Sequence, residues 1–258
     1  MASGMQENFL KLMGKSRAIT GRVVLSGLFA GMSAIAIAQP VQTSVAATSA
    51  PVNARNHSAS KTMLVLGDSL SAEYGLARGA GWVPLLKKRL EAEGIDAMIE
   101  NASISGETTS GGKARLPALL RQHQPGIVIL ELGGNDGLRG LPMSATAGNL
   151  RDMIQTAKKS GARVLLLGMQ IPPNYGADYT RQFAGLYPTI AKETGATLVP
   201  FFLKGLEIRR DLFQSDRIHP TAAAQPLMLE NVWPMLRPML TTQAGAAASA
   251  MQRTAPAR

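Results

Sequence analysis

Five short runs of apolar residues recur along the middle of the chain, each separated from the next by a longer mixed segment. The runs are Met63–Leu66, Ala97–Ile99, Ile127–Leu130, Val164–Leu167 and Thr197–Val199. They are continuous rather than alternating, which is typical of parallel strands covered on both faces. The intervening segments carry apolar residues at helical spacing, as at Leu150, Met153, Ile154 and Ala157. The pattern predicts one α/β domain: a three-layer α/β/α doubly wound, flavodoxin-like sheet of five parallel strands.

The N-terminal part of the chain does not share this pattern. Basic residues up to Arg22 precede an apolar stretch, 23–38, that ends in the small-x-small sequence Ala36-Ile37-Ala38. This layout predicts a secretory signal peptide over 1–38, cleaved after Ala38. We therefore expect a periplasmic or secreted protein with no stable membrane span in its mature form. An uncleaved membrane anchor is the alternative, although the stretch is short for one.

Composition also sets the limits of the folded domain. Residues 39–60 are rich in Ala, Ser, Thr, Val and Pro, which predicts a linker. The domain is expected over 61–240, with its last helix beginning near Ala222 and kinked at Pro226 and Pro234. Residues 241–258 are rich in Ala and small polar residues, which predicts a disordered tail.

The charge and the residue types exclude several classes of function. The 258 residues carry a formal net charge of +10, but no block of Lys and Arg is interleaved with aromatic residues. Nucleic-acid binding is therefore not expected. The chain has no cysteine and only three histidines, which are scattered and offer no pair at metal-ligand spacing. We expect no metal, no cofactor and a monomer.

Two distant segments carry residues that suit nucleophilic catalysis. Ser69 follows the first apolar run, and Asp216 lies three residues before His219 near the end of the domain. A serine hydroxyl needs an imidazole to remove its proton, and the imidazole needs a carboxylate to fix its tautomer. In a helical turn or tight loop, the three-residue spacing places carboxylate and imidazole on the same side. A simple turn or helix cap at Ser69 is the alternative.

Two glycine-containing loops follow the second and third strands. Gly106 lies in the loop Asn101–Thr109, and Asn135 lies in the loop Gly133–Gly137. Glycine lets a backbone N–H approach a ligand closely, and an asparagine amide can donate to an oxyanion. Each loop taken alone also fits an ordinary turn. Because the carboxyl ends of parallel strands share one edge of the sheet, we expect these loops to lie near Ser69.

The order Ser69, Gly106, Asn135 and His219 resembles the SGNH, or GDSL, hydrolase family, which is named for these residue types. The segments GDSLS, NASISGETT, ELGGNDGLRG and DRIHP resemble its bacterial periplasmic thioesterase, lysophospholipase and arylesterase subgroup over essentially the whole folded domain. The resemblance implies that Ser69 is the nucleophile, His219 the general base and Asp216 the residue that orients it. It implies an oxyanion hole made of the N–H groups of Ser69 and Gly106 and the side-chain amide of Asn135.

Two further segments resemble the loops that line the acyl pocket in that subgroup. The candidate substrate-binding residues in them are Asp136, Gly137, Leu138, Leu141, Ile171 and Pro172. Ile171 stands where the resemblance leads us to expect leucine, so the resemblance does not imply a preferred acyl chain length. Simple packing of these apolar loop residues is the alternative.

The resemblance implies a serine esterase that hydrolyses carboxylic esters and thioesters through an acyl-enzyme. Its substrate would be a small acyl ester or thioester, or a lysophospholipid. Two alternatives use the same scaffold: an esterase that removes O-acetyl groups from cell-wall carbohydrate, and a catalytically silent protein that binds acyl chains or lipids.

Overall fold

The computed structural model describes residues 61–253, with side chains described over 61–240; the predicted signal peptide and linker lie outside the described residues. Five strands form one sheet: β1 Thr62–Gly67, β2 Met98–Asn101, β3 Ile127–Glu131, β4 Arg163–Leu167 and β5 Thr197–Val199. Their spatial order is β2-β1-β3-β4-β5, and every neighbouring pair is parallel. Every residue of β1 and β3 is buried, as expected for strands covered on both faces.

Helices cover both faces of this sheet. They are α1 Trp82–Ala92, α2 Thr109–His123, α3 Gly134–Leu138, α4 Met143–Lys159, α5 Ala177–Thr194 and α6 Gln225–Arg253. Helix α1 contacts α6, whereas α4 contacts both α2 and α5, so the sheet lies between two helical layers. The predicted apolar stripe of α4 is buried. The prediction of a three-layer doubly wound domain is confirmed.

The strand order places a topological switch between β1 and β3. The chain leaves β1 toward β2 on one side of the sheet and later returns to build β3, β4 and β5 on the other. Gly67 at the end of β1 pairs in register with Glu131 at the end of β3. Crevices outside the carboxyl ends of strands at such a switch are the usual location of ligand sites in open α/β sheets.

The C-terminal part of the domain differs from the prediction. Residues Ala222–Ala224 form a separate 3-10 turn, and α6 begins at Gln225, so Pro226 lies in its first turn, where a missing N–H costs no helical bond. The expected disordered tail is helical over 241–253, because α6 runs to Arg253. This stretch is rich in alanine, which has the highest helix propensity. Among the described residues, no helix combines the length and hydropathy needed to cross a bilayer.

Candidate active site

The structure brings Ser69, Asp216 and His219 together at the carboxyl edge of the sheet. Ser69 lies two residues beyond β1, in a turn that begins where the N–H of Ala72 donates to the carbonyl of Asp68 at 3.0 Å. The Oγ of Ser69 lies 2.9 Å from Nε2 of His219. On the other side of the imidazole, Nδ1 lies 2.6 Å from Oδ2 of Asp216. This relay has the geometry that activates a serine hydroxyl.

The loop around His219 explains why a three-residue spacing suffices. Oδ1 of Asp216 accepts hydrogen bonds from the N–H groups of Ile218 and His219, at 2.9 and 3.0 Å. Partial burial raises the pKa of Asp216, but the hydrogen bonds from the His219 backbone, the His219 ring and the Ile218 backbone more than offset this, so its pKa is lowered. The carboxylate is therefore ionised at neutral pH and able to hold the imidazole in one tautomer.

One face of the His219 ring is covered by Tyr74. The two ring centroids are 4.3 Å apart at an interplanar angle of 40°. Tyr74 belongs to the same turn as the serine, because its N–H donates to the carbonyl of Ser69 at 3.3 Å, and its own carbonyl accepts from the side chain of Gln214. Nothing in the sequence indicated this residue, since it belongs to no recognisable catalytic pattern.

Asp68, which follows β1, contacts Asn135, which follows β3. Nδ2 of Asn135 donates to Oδ2 of Asp68 at 2.9 Å, and Oδ1 of Asp68 accepts from the N–H of Leu70 at 3.0 Å. Asp68 is only 2% exposed. Burial raises the pKa of its carboxyl to about 6, although the hydrogen bonds from Leu70 and Asn135 act in the opposite direction. One amide proton of Asn135 is thus fixed by Asp68, which leaves the second for a ligand.

Gly106 is held close to the end of β1. The N–H of Ile104 donates to the carbonyl of Gly67 at 3.1 Å, and the carbonyl of Gly106 accepts from Nη2 of Arg139 at 3.0 Å. Gly106 has a φ of 78°, a left-handed conformation that favours glycine. No hydrogen bond found within the described residues engages the backbone N–H of Ser69 or of Gly106. These two N–H groups, which the sequence predicts as oxyanion donors, are therefore available to an oxyanion.

A buried acid lies beneath the serine turn. Glu131 is fully buried, and its Oε2 accepts from the hydroxyl of Ser71 at 2.8 Å and from the N–H of Asp68 at 3.2 Å. Ser71 in turn accepts from the indole N–H of Trp82 at 3.1 Å. Burial, and then the negative charge of Asp68, raise the pKa of Glu131 well above its usual value. Burial thus favours the protonated form of Glu131, whose hydrogen bonds support the turn from below.

A cavity of about 590 Å³ opens beside Ser69 and His219. Much of its wall is apolar and comes from Leu138, Met169, Ile171, Pro172, Leu203 and Phe213. Asn135 also lines it, so the cavity reaches both ends of the candidate catalytic arrangement. Such a space accepts an extended apolar group whose one end lies against the serine.

Comparisons with known proteins agree with this geometry. The sequence pattern of the GDSL-like Lipase/Acylhydrolase family matches residues 65–226. The chain belongs to this family. It is 53% identical over 182 residues to esterase TesA of Pseudomonas aeruginosa, which covers 70% of this chain and 90% of that protein. It is 43% identical over 182 residues to Thioesterase 1/protease 1/lysophospholipase L1 of Escherichia coli K12, covering 70% of this chain and 86% of that protein.

A solved structure shows the same fold. The crystal structure of TesA superposes with a TM-score of 0.68 at 53% identity and covers 69% of this chain and 99% of that one. Together with the family membership, this likeness establishes that the chain is a hydrolase.

The predicted substrate-binding residues of this hydrolase divide into two groups. Leu138, Ile171 and Pro172 line the cavity beside Ser69. Asp136, Gly137 and Leu141 do not. Asp136 and Gly137 lie on the short helix α3, whose successive residues face different directions, whereas Leu141 lies beyond that helix and is exposed.

Asp136 and Gly137 serve the packing of the domain instead. The buried carboxylate of Asp136 accepts from the N–H and the hydroxyl of Thr109, at 2.9 and 2.5 Å, and so holds the start of α2. A Cβ added at Gly137 would lie 2.7 Å from the ring of Phe183 and 2.8 Å from Ile171. Gly137 therefore lets α5 approach the back of the cavity wall.

Proposed function

We propose that this hydrolase is a serine esterase that cleaves carboxylic esters and thioesters of apolar acyl chains through an acyl-enzyme on Ser69. The observation that carries the proposal is the 2.9 Å contact between Ser69 Oγ and His219 Nε2 at the edge of a largely apolar cavity. The relatives named esterase and thioesterase support the same reaction class.

The first half of the reaction transfers the acyl group to the enzyme. Nε2 of His219 takes the hydroxyl proton as Ser69 Oγ bonds to the carbonyl carbon. Charge that develops on the carbonyl oxygen is received by the N–H groups of Ser69 and Gly106 and by the free amide proton of Asn135. The imidazolium, stabilised by Asp216, then protonates the leaving alcohol or thiol as its bond to carbon breaks.

The second half of the reaction hydrolyses the acyl-enzyme and regenerates the free serine. Water takes the place of the leaving group, His219 removes its proton, and the new oxygen bonds to the acyl carbon. As this tetrahedral intermediate collapses, the bond between the acyl carbon and Ser69 Oγ breaks, and the His219 imidazolium gives its proton to Oγ, which releases the fatty acid and restores the hydroxyl. The same oxyanion donors serve both halves, because negative charge develops on the same carbonyl oxygen.

The cavity wall supports an acyl chain longer than acetyl. Each methylene group transferred from water to an apolar wall contributes about 0.8 kcal/mol. Leu138, Ile171 and Phe213 offer such a wall beside the serine. An acetyl group on a carbohydrate would leave this surface uncovered, which favours the acyl esterase over the carbohydrate esterase.

The predicted secretion is part of the proposal. The basic N-terminus, the apolar stretch and the Ala36-Ile37-Ala38 sequence support removal of residues 1–38 and a periplasmic location for the mature hydrolase. Expression of the full chain in a Gram-negative host, followed by N-terminal sequencing of the product, tests this. A product that starts near Gln39 is expected, and one that retains the apolar stretch would refute cleavage.

Labelling with a fluorophosphonate probe tests the nucleophile, because the probe reacts only with an activated serine. The wild-type hydrolase is expected to be labelled, and Ser69→Ala to lose both labelling and hydrolysis of p-nitrophenyl esters. Ser144→Ala is the matched control, since Ser144 is exposed on α4. Labelling that persists in Ser69→Ala would remove Ser69 from the mechanism.

A further inference from the structure

Two arginines line the same cavity as the catalytic residues. Arg210 and Arg217 both form part of its wall together with Ser69 and His219. Arg210 begins the 3-10 turn Arg210–Leu212, and Arg217 lies between the orienting carboxylate and the general base in sequence. Both side chains are largely exposed, so they face the mouth of the cavity rather than its apolar depth.

Neither guanidinium has a partner in the described part of the chain. Their neighbour Arg209, by contrast, is held by Asp211 through two hydrogen bonds, at 3.1 and 2.9 Å. Glu207 also lines the cavity but forms no ion pair with either arginine. The mouth therefore presents two cations whose ten N–H donors are free for a ligand.

The backbone of Arg217 gives an independent indication. Its φ is 60°, the left-handed region in which residues with a Cβ are uncommon. Glycine would take this conformation without strain. A long cation held in a strained conformation, directly beside the catalytic carboxylate, points to a role for its side chain, since such strain concentrates at functional sites.

The reaction geometry indicates which part of the substrate meets these cations. The acyl chain lies against the apolar wall, and the leaving group is protonated by Nε2 of His219. The leaving group therefore departs past the loop that carries His219 and Arg217, toward the mouth of the cavity. A negative charge on that group would be attracted by both arginines.

We propose that Arg210 and Arg217 form an anion subsite for a phosphate carried by the leaving group of the substrate. The inference rests on the proposed esterase function and assigns the two residues that would select substrates whose leaving group carries phosphate. Guanidinium groups suit phosphate because their planar donors match two phosphate oxygens. Two substrate types share this chemistry: an acyl thioester whose thiol carries phosphates, as in coenzyme A, and an acyl ester of a glycerol phosphate.

A pair of thioesters isolates the contribution of phosphate. Octanoyl-CoA and S-octanoyl-N-acetylcysteamine have the same acyl chain and the same scissile bond, but only the first carries phosphate. The double substitution Arg210→Ala and Arg217→Ala is expected to lower the ratio of their kcat/KM values on the order of ten-fold, mainly through KM, because two charge-assisted contacts are lost in a partly solvated site. Added NaCl should lower the ratio in the wild type and leave it nearly constant in the double variant.

A second pair of substrates distinguishes the sources of phosphate. Oleoyl lysophosphatidic acid and monooleoylglycerol share the ester and differ in the phosphate. A lowered ratio in either pair supports the subsite and identifies the leaving group that it serves. Unchanged ratios in both pairs, or equal losses on the charged and neutral members, would overturn it.

Three further variants distinguish an effect of the guanidinium charge from an effect of the loop conformation at Arg217. Arg209→Ala removes a neighbouring cation already held by Asp211 and should keep both ratios. The single variants Arg217→Ala and Arg217→Gly both remove the guanidinium, but only the glycine relieves the backbone, so both are expected to lower the ratio equally. A ratio restored in Arg217→Gly would assign the effect to backbone strain and overturn the subsite. A wild-type protein that hydrolyses none of the four substrates would instead refute the proposed esterase function.

Discussion

Substitution of Asp68 by asparagine directly tests the electrostatics of the active site. The carboxylate of Asp68 is almost fully buried, yet it fixes the amide of Asn135 and the N–H of Leu70. Asp68→Asn removes the charge and keeps the size of the side chain. The new amide can still accept one hydrogen bond but now faces Asn135 with a second donor. The substitution should therefore lower kcat by misplacing Asn135, while it relieves the cost of a buried charge.

The pKa shift gives the size of the stability effect. The pKa of Asp68 rises from 3.8 to about 6 in the folded protein. A raised pKa means that the folded state binds the proton more tightly than the unfolded state. The associated stability is complete below pH 3.8 and is lost as the pH rises through 6. Since one pKa unit corresponds to about 1.4 kcal/mol, the loss is about 3 kcal/mol.

Urea unfolding of both proteins between pH 3.5 and pH 7.5 measures this effect. The buried residues Trp82 and Trp233 give the fluorescence signal. The free energy of unfolding of Asp68→Asn, minus that of the wild type, should grow by about 3 kcal/mol across this range. Asp211→Asn is the control: hydrogen bonding to Arg209 lowers the pKa of Asp211, so its effect has the opposite sign. A difference that stays constant with pH would refute the raised pKa of Asp68.

Three further substitutions test the site and its support. Asn135→Ala should lower kcat for p-nitrophenyl butyrate by about 10² to 10³, as loss of an oxyanion donor does, and unchanged turnover would exclude that role. Glu131→Gln should keep the melting temperature because the neutral amide can still accept from Ser71, whereas Glu131→Ala should lose about 1–3 kcal/mol of stability by thermal unfolding. Gly137→Ala should destabilise the domain by about 1–3 kcal/mol, since its Cβ would press on Phe183; an unchanged melting temperature would contradict this contact.

The positions of the strands along the chain were predictable, because each strand depends on a local run of apolar residues. Continuous apolar runs of strand length located β1 and β3, and both are fully buried. The end of the domain was less predictable, because composition alone does not separate an alanine-rich helix from a disordered tail. The register that pairs Gly67 with Glu131 depends on contacts between distant segments, which periodicity does not encode.

The candidate catalytic residues were predictable from the sequence, whereas the buried residues that support them were not. Ser69 and His219 sit in distinctive sequences whose residue types have few other uses together. Asp68 and Glu131 lie beside or at the end of apolar runs, and only the packing shows that both are buried and in contact. Asp136 follows Asn135 directly, but this position in the sequence does not indicate the direction of its side chain on α3.

The two sides of Ser69 present opposite electrostatic environments, and this contrast connects the buried acids with the exposed arginines. Beneath the serine turn, burial raises the pKa of Glu131 and of Asp68, but that of Asp68 only to about 6, so Asp68 carries most of a negative charge at neutral pH. At the mouth, Arg210 and Arg217 add positive charge where the leaving group departs. Ionisation of Asp68 would place a negative charge close to the oxyanion and oppose its formation. Catalysis by Asn135 therefore depends on the balance between the hydrogen bond that Asp68 supplies and the charge that it brings, and Asp68→Asn alters both terms at once.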